Sequence, residues 1–104
     1  MIVHSILFRF AGDTPDERRR LAEDFRDRLA SLEDRIDQVR SMSFSFDLGR
    51  IEDHFDLALT SIHDSEADLE AYQAHPLHQE AAAYGRTIIV ARACVDSEVP
   101  DRAD

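Results

Sequence analysis

The stretch Ile2-Val3-His4-Ser5-Ile6-Leu7-Phe8-Arg9-Phe10 decides the fold. Alternation puts Ile2, His4, Ile6, Phe8 and Phe10 on one face of a strand and Val3, Ser5, Leu7 and Arg9 on the other. Both faces are largely apolar, so the strand needs cover on both sides: helices over one, something else over the other. In a chain of 104 residues, the length of one compact domain, a second copy of the same chain is the natural cover.

Outward from this strand, Gly12-Asp13 reads as a turn and Thr14-Pro15-Asp16-Glu17 as a helix start, with Thr14 as N-cap and Pro15 at the first helical position. Leu21, Phe25, Leu29, Leu32 and Ile36 follow as one continuous apolar stripe, between charged positions that solvate the helix. Alternation returns from Val39 to Asp47, where Met42, Phe44 and Phe46 oppose Ser41, Ser43 and Ser45. A third strand is expected from about His54 to His63, with Phe55, Leu57 and Leu59 on one face. Ser65-Glu66-Ala67-Asp68 opens a second helix through Leu69 and Tyr72, and Pro76 must kink or restart it before it ends at Gly85. Thr87 to Glu98 reads as the fourth strand. The order is βαββαβ, the ferredoxin-like α+β arrangement: a four-stranded antiparallel sheet with helices on one face. The bare second face predicts a homodimer in which two sheets bury each other.

Residues 1–99 are expected to form a single domain, followed by a polar tail over 100–104. Twelve basic side chains against 22 acidic ones leave a net charge of -10, which repels phosphate backbones and anionic lipid, so neither nucleic acid nor membrane is an expected partner. The start of the chain reads as neither a signal peptide nor a span, and the single cysteine, Cys94, forms no intrachain disulfide; both suit a cytoplasmic protein. No phosphate loop or dinucleotide fingerprint is present, and no cofactor is expected.

Four segments resemble the stress-responsive A/B barrel (Dabb) family: the opening Ile2 to Phe10, Asp56-Leu57-Ala58-Leu59, Leu69-Glu70-Ala71-Tyr72-Gln73-Ala74-His75-Pro76-Leu77-His78, and Val95-Asp96-Ser97-Glu98-Val99. The resemblance spans essentially the whole chain. It implies a ferredoxin-like homodimer whose sheets form a dimeric α/β barrel but no single activity, since the family includes plant stress proteins and polyketide cyclases that close a poly-β-ketone by aldol chemistry without metal or organic cofactor. Carried over from the cyclases, the resemblance implies His78 as base, Tyr72 as its assistant and His4 as a pocket polar group. Where cyclases can carry a further third-strand histidine, this chain has Leu57.

The residue chemistry is compatible with that role. A neutral imidazole can take a proton from a β-dicarbonyl carbon while a hydroxyl donor stabilises the enolate. On an unbroken helix, positions 72 and 78 would lie about 120° apart around the axis, so their convergence depends on the break at Pro76. The expected reading is a cofactor-independent small-molecule enzyme, a polyketide cyclase or aldol-type lyase acting on a small apolar or polyketide-like ligand. The alternatives are a non-catalytic ligand-binding or stress-associated dimer, or a cofactor-free monooxygenase. Ile6, Phe8, Phe44, Leu57, Leu59 and Leu69 are expected to wall the pocket, with His75 either joining them or capping the second helical piece. Tyr72 alternatively reads as a core aromatic. A three-imidazole metal site from His4, His75 and His78 is a minor reading. His54 and His63 read as surface turn residues, and Cys94 as inert core.

Overall fold

The computed structural model describes residues 1–100, so of the expected polar tail only Pro100 falls within it and 101–104 lie outside the described residues. The elements are β1 (Ile2–Phe10), α1 (Pro15–Ala30), β2 (Ser41–Phe46), β3 (Leu57–His63), α2 (Glu66–Ala74), α3 (Pro76–Gly85) and β4 (Ile89–Glu98). The strands form one antiparallel sheet in the order β2-β3-β1-β4, the expected ferredoxin-like α+β arrangement. No helix is long and apolar enough to cross a membrane.

Helix α1 starts as its sequence dictates. Thr14 Oγ1 accepts the Glu17 N–H at 3.1 Å, and Glu17 returns a carboxylate oxygen to the Asp13 N–H at 2.9 Å. Before it, Gly12 sits at φ +147°, and a Cβ there would come within 3.0 Å of Arg18 Cγ. The apolar stripe through Ile36 overstates the helix, which ends at Ala30. Ser31 Oγ bonds back to the Arg28 carbonyl, and shorter-range bonds such as Leu32 N–H to Leu29 O tighten the chain into turns. Leu32 and Ile36 are buried all the same, from those turns.

The third strand begins at Leu57, later than expected. Asp56 accepts the Phe10 N–H at 2.9 Å and meets Arg18 Nε at 3.3 Å, so its side chain ties the end of β1 to α1. Arg9 meanwhile holds the Glu52 and His54 carbonyls, fixing residues 52–54 as loop.

Register explains how polarity is sorted on the helix-covered face. Going across the sheet, one row reads Phe46, Leu57, Phe8, Arg92 and the next Phe44, Leu59, Ile6, Cys94. The third row reads Met42, Ser61, His4, Asp96. The β2-β3-β1 portion is therefore apolar at the Phe8 end and polar at the His4 end. On the opposite face, small and apolar residues align as Ser45, Ala58, Leu7, Ala93 and as Ser43, Thr60, Ser5, Val95, with Leu7 and Val95 exposed and no helix over them.

The core is densest where α1 lies on β1. The Phe8, Phe10 and Phe25 rings meet with centroids 5.1 to 6.2 Å apart. Gly85, the last residue of α3, lets that helix approach, because a Cβ there would fall 2.8 Å from Phe25 Cε1 and 3.0 Å from Ile89 Cδ1. Edge strand β4 differs: apart from the half-buried Ile89, it is exposed along its length.

Candidate functional site

Helix α2 packs on β1 and β3, β4 stays exposed, and a cavity of about 610 Å³ opens on the helix side of the sheet. His4, Ile6, Phe8, Leu59, Tyr72 and His78 from the expected site all line it. Phe25, Leu29 and Ile89 add apolar wall, and Gln73, Gln79, Arg86 and Arg92 add polar groups, which sequence reasoning missed.

Four expected wall residues lie elsewhere. Leu57 and Leu69 are buried core, Leu57 beneath Phe46 in its row and Leu69 beside the far end of the sheet near Ile2 and Asp96. Phe44 packs half-buried against the core from edge strand β2. His75 is the cap its alternative reading describes: its Nδ1 accepts the Leu77 N–H at 3.1 Å, and its backbone is extended at ψ 136°, as the following Pro76 demands. Strand and helix faces correctly separate inside from outside, but they do not say which inside positions a helix seals.

The break at His75-Pro76 brings Tyr72 and His78 together. Their rings pack edge to face with centroids 4.6 Å apart, although one closes α2 and the other opens α3. Tyr72 is 1 % exposed. Its hydroxyl and His78 Nδ1 are the buried side-chain polar atoms without a hydrogen-bond partner among the described residues. Burial pushes the Tyr72 hydroxyl up to about 12, so it stays a proton donor at neutral pH. Burial also pulls the His78 imidazole below its usual 6.5, helped by the charges of neighbouring histidines and Arg92 and opposed by the Gln73 carbonyl, so His78 is a neutral base.

His4 lines the same cavity from β1. Its Nδ1 hydrogen-bonds to the Asp96 carboxylate directly opposite on β4; a carboxylate only accepts, so Nδ1 donates and Nε2 is left outside that pair. Cys94 Sγ lies 3.7 Å from the same Nδ1. His4, Cys94 and Asp96 offer ligand atoms within 4.8 Å of one another and are the residues that could hold a metal ion, in place of the three-imidazole set, whose His75 is committed to its cap. Cys94 is not core as expected: it lies on the exposed edge strand, its thiol pushed up by partial burial and by Asp96 and so held protonated.

His63 corrects the sequence reading most sharply. It is 0 % exposed, not a surface turn residue, because the alternation Leu57, Leu59, Ser61, His63 continues to the last residue of β3. The Gln38 carbonyl accepts its Nδ1–H at 2.8 Å and Ser61 Oγ donates to its Nε2 at 2.9 Å, so both nitrogens are satisfied and the ring is neutral. Burial lowers its affinity for a proton in the same sense. Its ring stands between His4, at 6.5 Å, and Tyr72, at 5.1 Å, so His4, His63, Tyr72 and His78 form a continuous row. His54 is exposed, as expected, and pairs with Asp47.

Residues 2–99 match the model of the stress responsive A/B barrel domain. The chain belongs to this family. No curated protein sequence matches it. Among solved structures, this family member is similar to a dimeric protein of ferredoxin-like fold from Bacteroides fragilis, at 27 % identity and TM-score 0.82 over 94 % of this chain and 95 % of that one. It is likewise similar to a dimeric ferredoxin-like protein from Thermobifida fusca, at 30 % identity and TM-score 0.77 over 94 % and 90 % of the two chains. A hydroxynitrile lyase from Passiflora edulis shares the fold at 15 % identity, with TM-score 0.79 over 99 % and 96 %.

Proposed function

We propose that this A/B barrel protein is a cofactor-independent small-molecule enzyme that works by proton transfer, a polyketide cyclase or aldol-type lyase. The observation that carries the reading is the juxtaposition of two unpartnered buried groups, Tyr72 Oη and His78 Nδ1, on the wall of a mostly apolar cavity. A fold leaves such groups without partners at a cost of about 1–3 kcal/mol each, which a ligand with complementary groups relieves.

Their protonation states suit one reaction. His78 takes a proton from carbon flanked by carbonyls; the C–H electron pair becomes an enolate, and the Tyr72 hydroxyl donates a hydrogen bond to the oxygen where charge develops. The enolate carbon attacks a second carbonyl of the same ligand, closing a ring, and the imidazolium returns its proton to the new alkoxide. His4, with Nδ1 held by Asp96, presents Nε2 to a ligand hydroxyl or enol. His63 keeps the Tyr72 ring in place by packing against it.

The reading includes a homodimer. The similar Bacteroides and Thermobifida proteins are described as dimeric, and the sheet face away from the helices is small, apolar and uncovered along Leu7, Ala58, Ala93 and Val95. Two such faces meeting form the barrel.

The test is turnover of a linear poly-β-ketone. His78→Ala should lower the rate about 10²- to 10⁴-fold and Tyr72→Phe about 10²- to 10³-fold, while dimerisation is retained. Full turnover by His78→Ala removes it from the base role, and ligand binding without turnover by the unaltered protein assigns the cavity to storage or sensing.

A further inference from the structure

The charge around the cavity is unlike that of the rest of the molecule. The chain carries 22 acidic against 12 basic side chains, yet the cavity lining contains no Asp or Glu and two arginines, Arg86 and Arg92. Among the described residues, Arg18, Arg19, Arg26, Arg28 and Arg40 pair with carboxylates and Arg9 holds two carbonyls, while Arg20, Arg35 and Arg50 lie outside this cavity. Neither Arg86 nor Arg92 is ion-paired among the described residues. The carboxylate nearest to hand on the same face of β4, Asp96, is committed to His4. Another cavity, of about 580 Å³ and facing the N-terminus of α1, sets four arginines against four aspartates and a glutamate and so balances itself.

Position adds to composition. Arg86 follows the last turn of α3, and Arg92 stands beside Phe8 in the register, two rows along the sheet from His4. Along β1, His4 and Phe8 are separated by about 13 Å of strand. Arg92 is exposed on β4 yet lines the cavity, and its guanidinium is near enough to His78 to contribute to lowering its proton affinity. A neutral ligand leaves both arginines without a counter-charge, whereas an anionic group gains paired, charge-assisted hydrogen bonds from planar forks.

We propose that the cavity selects an amphiphilic anion: an apolar body over Ile6, Phe8, Phe25 and Leu59, a carboxylate or phosphate held by Arg86 and Arg92, and the reacting carbonyl at Tyr72 and His78. This inference rests on the cavity being the ligand site, as proposed above. A local positive field in a protein of net charge -10 favours an anionic ligand over a neutral one of the same shape.

The experiment compares three probes with one apolar body: 2-naphthoate, 2-naphthyl phosphate and 2-naphthol, titrated by calorimetry while methyl resonances of Ile6 and Leu59 report entry. One of the two anions should bind about tenfold or more tightly than 2-naphthol, and which one does identifies the headgroup. That preference should shrink with added salt and vanish in Arg86→Gln/Arg92→Gln, whose 2-naphthol affinity stays unchanged. Equal binding of all three at the Ile6 and Leu59 methyls, or a preference that survives the double substitution, overturns the anion proposal while leaving the cavity as a ligand site. If no probe perturbs those methyls, the ligand-site reading and the anion proposal fall together.

Discussion

Under α1, the sheet meets Phe25 and Leu29 with the Phe8 and Phe10 rings interlocked, and no polar atom is left to satisfy. Beside β4, the helices stand off, and Phe8 again, with Ile6, borders a cavity lined also by Tyr72, His78 and two arginines. Both regions are built on one strand and share Phe25. The difference teaches how a small fold divides its work. Where helix and sheet close, burial supplies stability; where the edge strand escapes cover, the fold tolerates unpartnered polar groups that a ligand can use. The two inward-facing histidines outside the Asp96 pair mark the division, His63 with both nitrogens bonded and His78 with one buried nitrogen unmatched.

The comparison breaks most readily on stability. Phe10→Ala, in the closed region, should cost about 3–5 kcal/mol in urea unfolding, whereas His78→Ala, bordering open space, should change stability by about 1 kcal/mol or less in either direction. Equal losses would mean that the cavity wall is as tightly packed as the α1 interface.

A smaller effect comes from pH. His63 and His78 both have proton affinities lowered by folding, so the unfolded chain binds more protons than the folded one once pH drops below about 6.5. Their contribution to stability is complete above that value and is lost as pH falls through the lowered folded-state values. His78→Ala removes the share from the open region and leaves that of His63, so its stability should fall less steeply between about pH 6.5 and 5 than that of the unaltered protein. Identical curves would place the whole dependence in His63.

How much of this was legible in the residues follows from the same division. The strand alternation of Ile2 to Phe10, the Thr14 cap and the Ser65 cap are local signals, and the structure follows them closely. The Tyr72 and His78 juxtaposition was legible only through Pro76, because a proline dictates a break but not the angle after it. His63 was misread because it stands next to the Asp64-Ser65 turn and cap; carrying the period of two from Leu59 through Ser61 would have placed it inside. Arg92 and the His4–Asp96 pair depend on the register of β4 against β1, residues about 90 positions apart in the chain, for which no local pattern exists, and Arg86 depends on where α3 packs. Leu57, Leu69 and Phe44 look like pocket walls because their faces are right, but what covers them is a tertiary fact.

The central claim is that His78, opposite the Tyr72 hydroxyl, moves a proton on a bound carbonyl compound. Deuterium exchange at the central carbon of an aryl β-diketone, followed by proton NMR in D2O, measures that step without requiring the natural ligand. The account predicts exchange well above the buffer rate with the unaltered protein, reduced with Tyr72→Phe and returned to the buffer rate with His78→Ala. Exchange by His78→Ala at the unaltered rate would contradict it.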